Sequence, residues 1–134
     1  MPPAPAKRIR LASTSDIVNA RRAAQAMLEA AGMRQIRITR FSTAISEIAR
    51  NTVTHGGGGM MELAHEAFDG RRWLTATFTD SGAGIADIEQ AMSDGFSTAK
   101  SLGLGLGGAK RLADAFEIES TPQGTTVKLA CRLT

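Results

Sequence analysis

Glu47 and Asn51 lie four residues apart, and His55 lies four further on, in a stretch where Ile38, Phe41, Ile45, Ile48 and Thr52 recur at helical spacing. The three polar side chains therefore project along one edge of a helix, beside its buried stripe. A carboxylate in that position can take a proton from a hydroxyl or water attacking a terminal phosphate. An amide oxygen beside it suits Mg²⁺, which accepts few protein ligands and fills its shell with phosphate and water oxygens. The spacing predicts Glu47 as base and Asn51 as metal ligand, and leaves His55 open between a site residue and a helix-end residue.

Asp80-Ser81-Gly82-Ala83-Gly84 closes a run in which Leu74, Ala76, Phe78 and Asp80 share one strand parity. With the apolar members facing a core, the Asp80 carboxylate is delivered inward, where it needs a donor. The amino group of adenine is such a donor, and Gly82 and Gly84 allow backbone to approach the flat base. Guanine would present a carbonyl instead.

Gly103, Gly105 and Gly107 form a third element, and Gly103, Gly105 and Gly108 also satisfy the G-x-G-x-x-G pattern of dinucleotide sites. That fingerprint requires an apolar strand immediately before it, whereas residues 95–101 are polar. No Gly-Lys-Ser/Thr follows a four-residue spacer, so a P-loop is absent as well. What remains is a glycine segment opening a helix, whose N–H groups suit triphosphate oxygens. Ser97, Thr98 and Lys100 stand just before it, open between a lid over phosphates and a solvated loop. Gly124-Thr125 comes last, in a hairpin turn that brings the Thr125 hydroxyl beneath the base beside Asp80. The four elements together predict a site for ATP with Mg²⁺.

These residues need a scaffold. Lys7 to Ala12 alternates as a first strand; Ile17 to Ala31 reads as a helix released by Gly32; the Glu47 helix ends at Gly56 to Gly59. Met60 to Phe68 and Arg72 to Thr79 flank Asp69-Gly70 as a hairpin. A polar connection with a short helical piece around Ile85 to Met92 leads to a helix from Leu106 to Phe116, then a hairpin of Glu117 to Ser120 and Thr125 to Leu133. This order predicts an α/β (α+β) two-layer sandwich with helices on one face of a mixed, largely antiparallel sheet. A doubly wound parallel fold is disfavoured.

With 134 residues the chain fits one domain, residues 7–134, behind a proline-bearing disordered leader at 1–6. No run of about 20 apolar residues or cleavable leader is present, which predicts a cytoplasmic chain without a membrane partner. Cys131, the one cysteine, shares parity with Val127, Leu129 and Leu133 and reads as a buried hydrophobe. Residues 1–50 hold nine Lys or Arg against three acids, while residues 51–134 hold seven against ten, so the basic half can face an acidic partner. With no Tyr, one Trp and a single aromatic residue, Phe41, in that half, nucleic acid is not the partner expected.

The set resembles the GHKL superfamily of ATPases and kinases, whose N, G1, G2 and G3 boxes match Glu47 with Asn51, Asp80 to Gly84, Gly103 to Gly107, and Gly124 with Thr125. Within it, the chain is similar to the anti-sigma-factor serine/threonine kinases, closest to the RsbT-type stressosome switch kinases. The residues carrying this are Ala44 to Asn51, Asp94-Gly95-Phe96-Ser97-Thr98 and Lys110-Arg111-Leu112. The resemblance implies a Bergerat-type ATP fold and phosphorylation of STAS-domain antagonist proteins. It further implies partner switching toward a downstream regulator such as a PP2C-type phosphatase. Lys100 departs from the small residues expected in that lid, and its role is open between phosphate, partner and solvent. A non-catalytic ATP-binding anti-sigma module is the alternative.

Overall fold

Alternation and helical spacing become five strands and three helices over the described residues, which are 6–82, 84, 92 and 105–134 of the computed structural model. In chain order they are β1 (Lys7–Leu11), α1 (Thr14–Ala30), α2 (Gln35–Thr54), β2 (Gly59–Phe68), β3 (Arg71–Asp80), α3 (Leu106–Leu112), β4 (Ala115–Thr121) and β5 (Gly124–Arg132). The strand order is β1-β2-β3-β5-β4, and every pairing is antiparallel. The fold is therefore the two-layer α+β sandwich expected, its sheet antiparallel throughout the described residues with no mixed portion.

Local chemistry sets the ends of these elements. Asp16 accepts from the Ala12 N–H at 2.8 Å and the Ser13 N–H at 3.0 Å, closing the entry to α1. Those two donors hold its carboxyl below the ordinary carboxylate range. Between β2 and β3, Asp69 and Gly70 both adopt left-handed backbone, with φ of 53° and 73°, as a two-residue hairpin requires. That turn fixes the register from Phe68 opposite Arg71 through to Gly59 opposite Asp80. Leu74, Ala76 and Phe78 consequently face the helices, and Asp80 ends the same row.

The core lies between that sheet face and the helices, with Phe41, Ile45 and Ile48 of α2 buried together with Leu63, Phe78 and Leu129 of the sheet. Each such side chain contributes about 1.5 to 3 kcal/mol by leaving water. Cys131 is buried with them, and desolvation pushes its thiol up to about 11, so it is a packing residue and not a thiolate at neutral pH.

The helix expected from Leu106 to Phe116 stops at Leu112, and Phe116 belongs to β4. Asp114 is the reason. Its N–H donates to the Ala130 carbonyl at 2.9 Å, its carboxylate accepts the Arg132 N–H at 2.8 Å, and the same carboxylate takes the Arg37 guanidinium from α2. The chain is thereby drawn into the sheet one turn early. The helical piece expected at Ile85 to Met92 lies outside the described residues, apart from Met92, and the leader does so apart from Ala6.

Candidate functional site

α2 lies over β1, β2, β3 and β5, and its last two turns carry Glu47, Asn51 and, at the cap, His55. The chain then turns through Gly56 directly against the end of β3. A Cβ on Gly56 would stand 2.5 Å from the Asp80 Cγ and Oδ2 atoms, so only bare backbone fits there. The Asp80 carboxylate is thus pressed between the helix exit and the sheet. Its Oδ1 accepts the Gly82 N–H at 2.9 Å and the Thr125 N–H at 3.2 Å. Among the described residues no hydrogen bond is made to Oδ2.

This division gives the two oxygens different tasks. Oδ1 ties the end of β3 to the start of β5, and Oδ2 lies beside Gly56. The Thr125 hydroxyl shares a hydrogen bond of 2.8 Å with Ser120 on β4, which fixes the floor beside the aspartate. Asn51 and His55 from α2, Phe78 and Asp80 from β3, Leu106 from α3 and Thr125 from β5 frame one cavity. It is apolar at Phe78 and Leu106 and polar at Asp80 and Asn51, the composition a flat base followed by phosphates calls for.

One turn of α2 before Asn51, outside the residues that line the cavity, stands Glu47, with about a third of its side chain exposed. Gly105, the residue that caps α3, is left-handed at φ 63°, and a Cβ on it would collide with Glu47 Oε2. The carboxylate therefore lies against glycine backbone at the entrance to α3. Arg50 approaches its other oxygen at 3.3 Å, a half-exposed pair that orients the group more than it stabilises the fold.

Of the residues singled out in the sequence, Asn51, Asp80, Gly84 and Thr125 line this cavity, Gly82 is bonded to Asp80, and Glu47 and Gly105 lie against each other at the entrance to α3. His55 joins them on the wall, and Gly107 lies in the first turn of α3. Ser97, Thr98, Lys100 and Gly103 lie outside the described residues. Gly56 is the residue that reading missed. Its signal was surplus: one glycine ends a helix, and residues 56 to 59 supply four.

Residues 11–131 match the histidine kinase-like ATPase domain. The chain belongs to that family. It is 38% identical over 121 residues to the serine/threonine-protein kinase RsbT of Bacillus subtilis, covering 90% of this chain and 91% of that one. It is 34% identical over 97 residues to the anti-sigma F factor of Thermoanaerobacter sp. strain X514, covering 69% and 68%. Its fold is similar to that in the RsbU and RsbW domains of Rv1364c from Mycobacterium tuberculosis, with a TM-score of 0.66 and 24% identity, across 96% of this chain and 32% of that longer one. The SiaB-SiaC complex of Pseudomonas aeruginosa contains a chain of like fold, with a TM-score of 0.55 and 14% identity. No described helix is long and apolar enough to cross a membrane.

Proposed function

We propose that this chain is a cytoplasmic, ATP-dependent serine/threonine protein kinase of a bacterial stress-signalling partner-switching module. Its substrates are STAS-domain antagonist proteins, and their phosphorylation frees or activates a downstream regulator such as a PP2C-type phosphatase. The observation that carries the reading is Glu47, one helical turn from the Asn51 that lines the Asp80 cavity and against the Gly105 backbone at the entrance to α3, because nucleotide binding alone needs no carboxylate there.

In this reading Asp80 Oδ2 accepts from the amino group of adenine while Thr125 and Gly82 keep the carboxylate aimed. The backbone at Gly105 and the first turn of α3 lie beside the phosphates, and Ser97, Thr98, Lys100 and Gly103 are assigned to nucleotide binding from the sequence. Glu47 accepts the proton of the substrate hydroxyl as its oxygen bonds to the γ-phosphorus and the bond to the β-phosphate oxygen breaks.

Mg²⁺ fits this set. The Asn51 side-chain oxygen is buried at the cavity wall. One protein oxygen, with phosphate and water for the rest, is the coordination Mg²⁺ favours. When bound, the ion neutralises phosphate charge. Asn51→Ala is expected to lose most Mg²⁺-dependent ATP retention with only a small change in melting temperature. A Mg²⁺ titration of ATP binding beside thermal melts checks this, and normal titration by the variant would move the metal elsewhere.

The kinase reading is tested by incubating the protein with γ-labelled ATP and purified STAS-domain proteins of the same genome. Label on a serine or threonine supports it. ATP binding and regulator binding without label would favour the second reading, an ATP-gated anti-sigma module, which the similarity to anti-sigma F factors favours.

A further inference from the structure

Glu47 is one member of an outward row on α2. Ile36, Arg40, Thr43, Glu47 and Arg50 follow at alternating spacings of four and three, so they lie along one stripe, with Glu47 half-buried and the other four exposed. Between Ile36 and Glu47 the stripe runs about 16 Å at 1.5 Å per residue. Ile36 is 67% exposed, a large aliphatic side chain held in water in the first turn of a helix.

Arg40 donates to the Arg111 carbonyl at 3.2 Å, which joins the stripe to the last turn of α3, where Lys110 and Arg111 stand. Among the described residues no carboxylate pairs with Arg40. Arg37, on the same helix, is occupied by Asp114 and the Arg132 carbonyl. Among the described residues the surface beside Glu47 thus carries Arg40, Arg50, Lys110 and Arg111, with Arg50 paired to Glu47, and it has an apolar tip.

Resting on the kinase reading, we infer that this stripe is the docking surface for the protein substrate, and that the substrate presents its acceptor hydroxyl within an acidic rim with an apolar slot for Ile36. A protein whose hydroxyl reaches Glu47 must lay its neighbouring surface over adjacent turns of α2. Carboxylates on that surface complement Arg40 and the end of α3, and they speed encounter by steering. A few side chains seated in desolvated pockets carry most of an interface's energy, and arginine is enriched among them.

The test uses Ile36→Asp and Arg40→Glu in the full chain, with the STAS-domain protein that wild type labels best as substrate. Each variant is expected to raise KM for that protein about tenfold or more, while ATP affinity, melting temperature and labelling at saturating substrate stay within about twofold. Added salt should raise the wild-type KM and leave that of Arg40→Glu nearly flat. Ile36→Asp covers the case in which Arg40→Glu disturbs α3. An acid-to-lysine change on the substrate that rescues Arg40→Glu would fix the pairing. Unchanged KM in both variants overturns the docking surface and leaves the kinase reading intact. Label on no protein by wild type overturns both.

Discussion

Glu47→Gln is expected to bind ATP within a few fold of wild type and to transfer phosphate about 10² times more slowly or worse, the scale of losing a positioned base. The variant keeps the shape that Gly105 accommodates, and its carbonyl can still accept from Arg50. What it loses is the capacity to take a proton from the substrate hydroxyl. Calorimetry gives the affinity and single-turnover labelling gives the rate. Equal labelling by the two proteins would remove Glu47 from the chemistry. A matching fall in affinity would make it a binding residue. Docking of the protein substrate should survive, so a variant that captures the antagonist and never releases it would show that catalysis drives partner exchange.

Asp80→Asn is expected to weaken ATP by the worth of a charge-assisted hydrogen bond, about 1.5 to 3 kcal/mol. The geometry makes the substitution informative. The amide oxygen can replace Oδ1 and keep the Gly82 and Thr125 N–H bonds at 2.9 and 3.2 Å, which places the amide nitrogen at the Oδ2 position that the proposal gives to adenine. Two donors then meet the donor of adenine. The fold should be nearly unaffected while selectivity over GTP shrinks. Calorimetry with both nucleotides checks it, and unchanged preference for ATP in the variant would place the base elsewhere.

The elements were legible where a short-range pattern decides them. Asp69-Gly70 announced the hairpin, and its turn length carried the register ten residues to Asp80, so the inward carboxylate could be read from parity alone. The helical spacing that put Glu47 and Asn51 on one edge was equally local. What escaped was decided at long range. Leu112, Ala113 and Phe116 continue a helical pattern, and the partners of Asp114 that favour stopping at Leu112 are distant in sequence: Arg37 lies 77 residues before it, and Ala130 and Arg132 lie on β5. Gly56 looked like punctuation because its partner, the Asp80 carboxylate, is 24 positions on and meets it only once the strand is paired. Phe116 fits a helix stripe and a strand row alike, and periodicity cannot separate the two over so few residues.

The Oδ1 bond from Asp80 to the Thr125 N–H spans 45 residues and joins the third strand to the last. As the ribosome makes this chain from its N-terminus, α2 with Glu47 and Asn51, the β2-β3 hairpin and the whole glycine segment emerge before the strand that aims the aspartate. The candidate site is therefore completed only when the last strand pairs, and a nascent chain stopped short of residue 124 has Asp80 held by Gly82 alone, without the Thr125 N–H.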